Sequence, residues 1–157
     1  MPVGAFGGRK EIMQHIAPLG NVYQAGTLSG NPIAMIAGYT LLKELKNNPS
    51  IYRELEEKTL YLRDGLGKVL QAWGQPYQIN QLGSMISIHF SQHPVTDFAS
   101  ASAANNARFS TFFHAMLRRG VYLPPSAFES WFLNNALTTE DLDATIQAVK
   151  ESLGELA

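Results

Sequence analysis

The segment Asn47-Asn48-Pro49 constrains the fold most strongly, because it divides the chain into two parts of different character. Two turn-forming residues and a proline here end a helical pattern that begins at Pro32. The 48 residues before this break contain a single long helical pattern, and they bury too little surface to fold alone. We therefore expect residues 1–48 to belong to a larger domain and residues 49–157 to form a small α+β domain.

A loop of small residues, Gly26-Thr27-Leu28-Ser29-Gly30, comes directly before this helix. Asn31 is typical of a helix N-cap, and Pro32 suits the first helical position, where a missing N–H costs nothing. Free N–H groups and the positive end of the helix dipole favour an anion, to which the Thr27 and Ser29 hydroxyls can also bond. The residues alone favour the simpler interpretation, a plain turn whose hydroxyls bond to local backbone.

Local patterns predict the remaining elements. In the first part, residues 9–16 predict a short helix ended by Pro18 and Gly20, and residues 22–24 predict the end of a strand. In the second part, helical spacing predicts a long amphipathic helix over residues 51–73, ended by Gly74. Residues 77–80 and 84–90 alternate around Gly83, as two half-exposed antiparallel strands would.

The C-terminal half of the second part predicts two more helices and two short strands. A helix over residues 105–119 should end at Gly120, with two arginines in its last turn. Its inward side chains are expected to be Phe109, Phe112, Phe113, Met116 and Leu117. Residues 121–123 and 128–133 predict strands, and Thr138 with Asp141 predicts a capped final helix. The sum is an antiparallel sheet with flanking helices.

Composition excludes several classes of function. The 157 residues are 45% hydrophobic, with 12 Lys and Arg against 13 Asp and Glu, so the chain has no basic face for nucleic acid. It contains no cysteine, which excludes disulfides and thiolate sites and fits a reducing cytoplasm. No window approaches the roughly 20 apolar residues that a membrane-spanning helix needs, and no signal peptide is visible.

Other motifs carry little chemistry. The glycine-rich segment from Gly4 to Lys10 lacks the spacing of a nucleotide-triphosphate loop. His89 and His93 lie on or just after a strand without a nearby carboxylate at ligand spacing, so we predict no metal site. His15 and His114 are expected on helix surfaces or facing a partner. The charge run at residues 53–58 is expected to be a solvated helix face.

Six segments spread over the whole chain carry a family resemblance. They are residues 1–9, residues 23–32, Phe112-Phe113-His114, Gly120-Val121-Tyr122-Leu123, Pro125-Ser126-Ala127-Phe128-Glu129 and the closing helix at Glu140-Asp141. In sequence and order they closely resemble the glutamate-1-semialdehyde 2,1-aminomutase family, within the class III pyridoxal-phosphate aminotransferases. The resemblance implies the C-terminal third of an aspartate-aminotransferase-like fold, with α/β and α+β parts.

The resemblance also implies an activity and its site residues. It implies a cytoplasmic homodimer that uses pyridoxal 5'-phosphate to convert a small amino-aldehyde, glutamate 1-semialdehyde, into 5-aminolevulinate for porphyrin synthesis. Gly26 and Thr27 would donate to the cofactor phosphate in the partner subunit's site. Glu129 would be an active-site carboxylate, where ω-aminotransferases keep an arginine; its alternative is a plain surface acid. Ser130-Trp131 and Leu137 depart from the family pattern at this corner.

The lysine that bonds the cofactor covalently in this family corresponds to no residue of this chain, and its position would precede Met1. Lys10 falls after the glycine pair on an expected surface helix and does not replace it. We therefore expect the isolated chain to be inactive. Two alternatives stay open: an ω-aminotransferase of the same class, or a non-catalytic dimerisation module.

Overall fold

The computed structural model describes residues 3–156 and falls into two compact units, with the boundary between Pro49 and Ser50. Unit 1 contains two helices and unit 2 contains four helices and three strands within the described residues. The elements are α1 (Lys10–Met13), α2 (Pro32–Asn47), α3 (Ser50–Trp73), β1 (Gln78–Leu82), β2 (Met85–His89), α4 (Phe98–Ser102), α5 (Asn106–Arg118), β3 (Trp131–Phe132) and α6 (Thr139–Leu153). Within residues 3–156, every helix is too short or too polar to span a lipid bilayer.

The first part of unit 1 is less regular than the sequence predicts. The predicted helix over residues 9–16 is wrong beyond Met13, because the chain turns back on itself there. The amide of Val22 donates to the His15 carbonyl at 2.8 Å, and Ile16 and Val22 form a single parallel bridge in place of a strand end. A Cβ at Gly20 would overlap the His15 backbone, so this turn requires glycine.

Helix α2 leaves most of its apolar side chains exposed. Only Ala34 and Gly38 are buried on it. The exposed apolar residues of the helix are Ile33, Met35, Ile36, Tyr39, Leu41 and Leu42. A helix face with this many exposed apolar side chains is usually covered by another part of the protein or by a partner. The assignment of unit 1 to a larger domain stays a proposal, which this exposure supports.

Unit 2 is built on an antiparallel sheet with the strand order β1-β2-β3. Leu82 pairs with Met85 across a two-residue turn, in which Gly83 has a φ of 55° that favours glycine. On β2, Ile86 and Ile88 are buried in the core. Because side chains alternate along a strand, Ser87 and His89 lie on the opposite face, which we call the outer face.

The core of unit 2 lies on the inner face of this sheet. Its aromatic centre joins Phe90 to Phe112, with ring centroids 5.6 Å apart in an edge-to-face arrangement. A Cβ at Gly65 would collide with the Ile146 side chain, so α3 and α6 pack closely at this point. The largest aliphatic contributions come from Leu62, Leu66, Leu70, Ile86, Ile88, Met116, Leu142, Val149 and Leu153.

Capping residues fix the starts of α5 and α6. Thr138 and Asp141 form the reciprocal capping box that the sequence predicts at α6, and Asn105 caps α5 one residue outside the helix. At the other end of α5, Arg119 contacts Glu155 at 2.7 Å and Glu151 at 3.3 Å. The expected inward position of Leu117 is wrong, because 44% of this residue is exposed.

The short predicted strands of unit 2 are mostly wrong. Residues 121–123 form no strand, because the amide of Val121 donates back to the Met116 carbonyl and completes the end of α5. Of residues 128–133, only Trp131 and Phe132 form a strand. Helix α4 was not predicted at all, although Asp97 and Ser100 form a capping box at its start.

Candidate functional site

The glycine-rich loop of unit 1 lines an open cavity of about 900 Å³. Gly26 and Thr27, which the resemblance singles out, both line it. A Cβ at Gly26 would lie 3.0 Å from the Ser29 hydroxyl, so the loop closes tightly at this residue. The other lining residues are Val3, Gly4, Ala5, Phe6, Gln24, Leu28, Ser29, Gly30 and Met35.

The N-terminus of α2 does not supply the free donors that the sequence suggests. The Asn31 side chain accepts from the amides of Ile33 and Ala34, at 3.0 and 3.1 Å. Pro32 has no N–H, and the amide of Met35 donates to the Asn31 carbonyl. The expectation of free helix N–H groups is therefore wrong, because the cap that starts the helix also consumes its first donors.

The unused donors lie in the loop itself. Within the described part of the chain, the amides of Gly26, Thr27, Leu28 and Gly30 donate to no other protein group. The hydroxyls of Thr27 and Ser29 also make no hydrogen bond with residues 3–156. Several free N–H and O–H donors around one cavity, without a cation in the loop, are suited to a phosphate group. The loop therefore fits the phosphate of the implied cofactor by its donor set.

Glu129 lines a second cavity, of about 320 Å³, inside unit 2. A turn positions it: the Ser126 carbonyl accepts from the amide of Glu129 at 3.1 Å, and the Ser126 hydroxyl accepts from the amide of Phe128 at 3.2 Å. Glu129 is exposed. Among residues 3–156 its carboxylate accepts no hydrogen bond, so it is available to a ligand.

The outer face of the sheet supplies the floor of the Glu129 cavity. Asn80, Ser87 and His89 lie there on paired strands β1 and β2. Asp97, at the start of α4, faces the same space. Hydrogen bonds from the backbone and hydroxyl of Ser100 hold the pKa of Asp97 below its usual value, so the cavity carries negative charge at neutral pH.

His89 is the member of this cavity that the sequence did not single out as a site residue. Only 8% of His89 is exposed, and its Nε2 lies 3.1 Å from the Ser87 hydroxyl. Burial lowers the pKa of His89, because the charged imidazolium loses hydration there. The alternation of Ile86 and Ile88 with Ser87 and His89 was the signal that places both polar residues on one face.

No group of three His, Asp or Glu side chains within residues 3–156 has the arrangement of a metal site. His93, the second histidine of the weak metal motif, is exposed beyond the end of β2.

The buried His89 makes the stability of unit 2 pH-dependent. Its folded pKa is lower than its unfolded value near 6.5, so stability from the neutral ring is fully present above pH 6.5 and falls as acid protonates His89. Asp97 and Glu129 are the acidic residues that line the same cavity as His89. We therefore expect the free energy of unfolding in urea to change less between pH 7.5 and pH 5.5 in the His89→Gln variant than in the wild type. The exposed control His93→Gln should leave the wild-type slope unchanged, and an equal effect of both variants would contradict the prediction.

The comparisons with known proteins fit this geometry. The sequence profile described as aminotransferase class-III matches residues 1–153. The chain belongs to the class III aminotransferase family. This class III aminotransferase chain is also similar in fold to solved relatives, which confirms the expected fold class. An ω-transaminase from Sphaerobacter thermophilus matches it with a TM-score of 0.75 and 26% identity, over 96% of this chain and 34% of that one.

Two further proteins are similar to this chain, one in structure and one in sequence. The β-phenylalanine aminotransferase from Variovorax paradoxus matches with a TM-score of 0.77 and 27% identity. The match covers 95% of the present chain and 34% of the Variovorax chain. A glutamate-1-semialdehyde 2,1-aminomutase from Flavobacterium johnsoniae is 57% identical over 149 residues. That alignment covers 95% of this chain and 35% of the relative, so the chain spans about a third of the relative's length.

Proposed function

We propose that this chain is the C-terminal part of a pyridoxal-phosphate enzyme that converts glutamate 1-semialdehyde into 5-aminolevulinate. The observation that carries the proposal is the 57% identity to the Flavobacterium johnsoniae aminomutase. The similarity to ω-transaminase and β-phenylalanine aminotransferase structures is much lower, at 26% and 27% identity. These values favour the aminomutase over an ω-aminotransferase, which is the second candidate.

In this proposal, the loop of unit 1 binds the cofactor phosphate. The amides of Gly26 and Thr27 and the hydroxyl of Thr27 are free donors beside one cavity, and a dianionic phosphate accepts several such bonds. Bound pyridoxal phosphate would supply an electron sink at the carbons that exchange the amino group. The loop residues hold and orient it and transfer no proton.

Glu129 is proposed as an active-site carboxylate that faces the substrate. Its carboxylate is exposed and accepts no hydrogen bond among residues 3–156, and the Ser126 turn fixes its backbone. A carboxylate here attracts an amino group and repels a second carboxylate. This charge preference supports an amino-aldehyde substrate over the dicarboxylate acceptors of an ordinary transaminase.

We also propose that the whole protein is a cytoplasmic homodimer. The exposed apolar side chains of α2 support an interface, because a face of this kind is usually covered in a stable assembly. The absence of cysteine is compatible with a reducing compartment.

A chimera tests the proposed activity. Residues 1–157 would replace the matching C-terminal third of the Flavobacterium johnsoniae aminomutase, whose own first two thirds stay unchanged. We expect the purified chimera to convert glutamate 1-semialdehyde into 5-aminolevulinate at a rate within about tenfold of that enzyme, because sequences this similar keep one fold and site. The parent enzyme with its own C-terminal third is the control.

Other outcomes separate the alternatives. A folded chimera that only exchanges amino groups between an amine donor and a keto acid would support the ω-aminotransferase. A folded chimera that dimerises and has neither activity would contradict both enzyme proposals and favour a non-catalytic dimerisation module.

A further inference from the structure

The outer face of the sheet in unit 2 carries a row of apolar side chains. Leu82 pairs with Met85, and Met85 pairs with Phe132, so the three residues lie side by side across β1, β2 and β3. Leu82 is 73% exposed and Phe132 is 70% exposed. Trp131, the neighbour of Phe132 on β3, is buried on the inner face, as the alternation of side chains along a strand requires. We call Leu82, Met85 and Phe132 the apolar row.

A pair of exposed aromatic rings extends this apolar surface to the Glu129 cavity. Phe98 is 75% exposed and Phe128 is 51% exposed, and their ring centroids lie 5.4 Å apart. Both rings line the cavity, together with Asn80 and Ser87, which form the outer-face pair next to the apolar row. The outer face of a solvated antiparallel sheet is usually polar, and clustered exposed apolar side chains mark an interaction surface.

The remaining part of the whole protein is the occupant that these observations favour. The match covers 35% of the Flavobacterium johnsoniae relative, so about two thirds of such a protein lie outside it. In the proposed function, the lysine that bonds the cofactor lies in that part and must come close to Glu129, which lines the cavity beside the apolar row.

A second copy of unit 2 is a poorer occupant of this face. Asp97 and Glu129 both line the cavity on it. A two-fold contact places the same residues of both copies in one interface, so the four carboxylates would be brought together and would repel one another.

We propose that the outer face of unit 2 is a docking surface for the first two thirds of the whole protein. The apolar row and the two rings form the contact, and the docked part covers the open side of the Glu129 cavity. The docked surface is apolar opposite Leu82 and Phe132, because a polar group there would lose hydration without gaining a partner. The inference rests on the proposed function, because only the longer protein supplies this occupant.

A single introduced cysteine tests the contact, because the 157-residue chain contains none of its own. Phe132→Cys is made in this chain and in the chimera, and the reaction of the thiol with 5,5'-dithiobis(2-nitrobenzoate) is followed at neutral pH. We expect the reaction to be at least about tenfold slower in the chimera than in the 157-residue chain, because a covered thiol reacts only when the contact opens. The chimera without the introduced cysteine gives the background rate.

Two further variants make the result specific. Leu82→Cys, at the other end of the apolar row, should be protected to a similar degree, and it replaces the first variant if Phe132→Cys does not fold. Ser110→Cys is the matched control, because Ser110 is exposed on α5, a helix that packs on the inner face of the sheet. Its thiol should react in the chain and in the chimera at rates within about twofold of each other.

Equal reaction rates of the Phe132→Cys thiol in the chain and in the chimera would overturn the inference. Protection that is already present in the isolated chain and increases with its concentration would also overturn it, because a second copy would then cover the face. The measurement needs no turnover. A folded, inactive chimera with a protected thiol would contradict the proposed activity alone, and an active chimera with a reactive thiol would contradict the docking alone.

Discussion

Replacing Phe112 with alanine is expected to lower the free energy of unfolding of unit 2 by about 3–5 kcal/mol, the usual cost of emptying an aromatic site in a core. Phe112 is fully buried, with 0% exposure. Its ring contacts Phe90 edge to face, and Phe109 lies beside it at 6.3 Å between centroids. Alanine would leave a cavity where these aromatic contacts meet, and the rigid surroundings could close it only partly.

Urea unfolding followed by tryptophan fluorescence measures this effect directly. Both tryptophans of the chain, Trp73 and Trp131, lie in unit 2, so the signal reports that unit. Phe132→Ala is the matched control, because the same change at a 70% exposed ring should cost less than about 1 kcal/mol. Similar losses in the two variants would mean that the core is not centred on Phe112.

The longer helices were predictable because their signals are local and repeated. Helix α2 begins and ends within a residue of its prediction, since Asn31 caps it and Pro49 follows its end. Helices α3 and α6 show long apolar periodicity, which survives any small error at the ends. Residues 121–123 are rich in strand-forming side chains, yet they form no strand. The amide of Val121 instead donates to the Met116 carbonyl at the end of α5.

The sequence predicts several of the residues that line the candidate site, but not which of its hydrogen-bond donors are free. The sequence indicated Gly26, Thr27 and Glu129, and each lines a cavity, although their roles stay predictions. The free donors belong to the loop and not to the start of α2, because the Asn31 side chain accepts from the first free amides of the helix, those of Ile33 and Ala34. A periodicity argument cannot count such bonds. His89 was missed as a site residue because its surroundings come from α4 and from residues 128–130, which are distant in sequence.

The second large effect concerns the phosphate loop. In the chimera, Thr27→Val is expected to weaken pyridoxal-phosphate binding about 10- to 100-fold. The variant loses one hydroxyl bond to a charged group, worth about 1.5–3 kcal/mol, and each 1.4 kcal/mol is about tenfold in affinity. Valine keeps the shape of threonine. The loop amides of Gly26, Leu28 and Gly30 stay in place, so binding should be weakened and not abolished.

Cofactor titration of the apo chimera, followed by absorbance, measures this affinity. Saturating pyridoxal phosphate should restore most of the activity, because Thr27 is proposed to hold the phosphate and not to act on the substrate. The control Thr111→Val removes an exposed hydroxyl from α5 and should bind the cofactor like the parent chimera. A Thr27→Val chimera with unchanged cofactor affinity would contradict the role of this hydroxyl. That result would favour the alternative interpretation, in which Gly26 and Thr27 only form a turn before α2 and bind no phosphate.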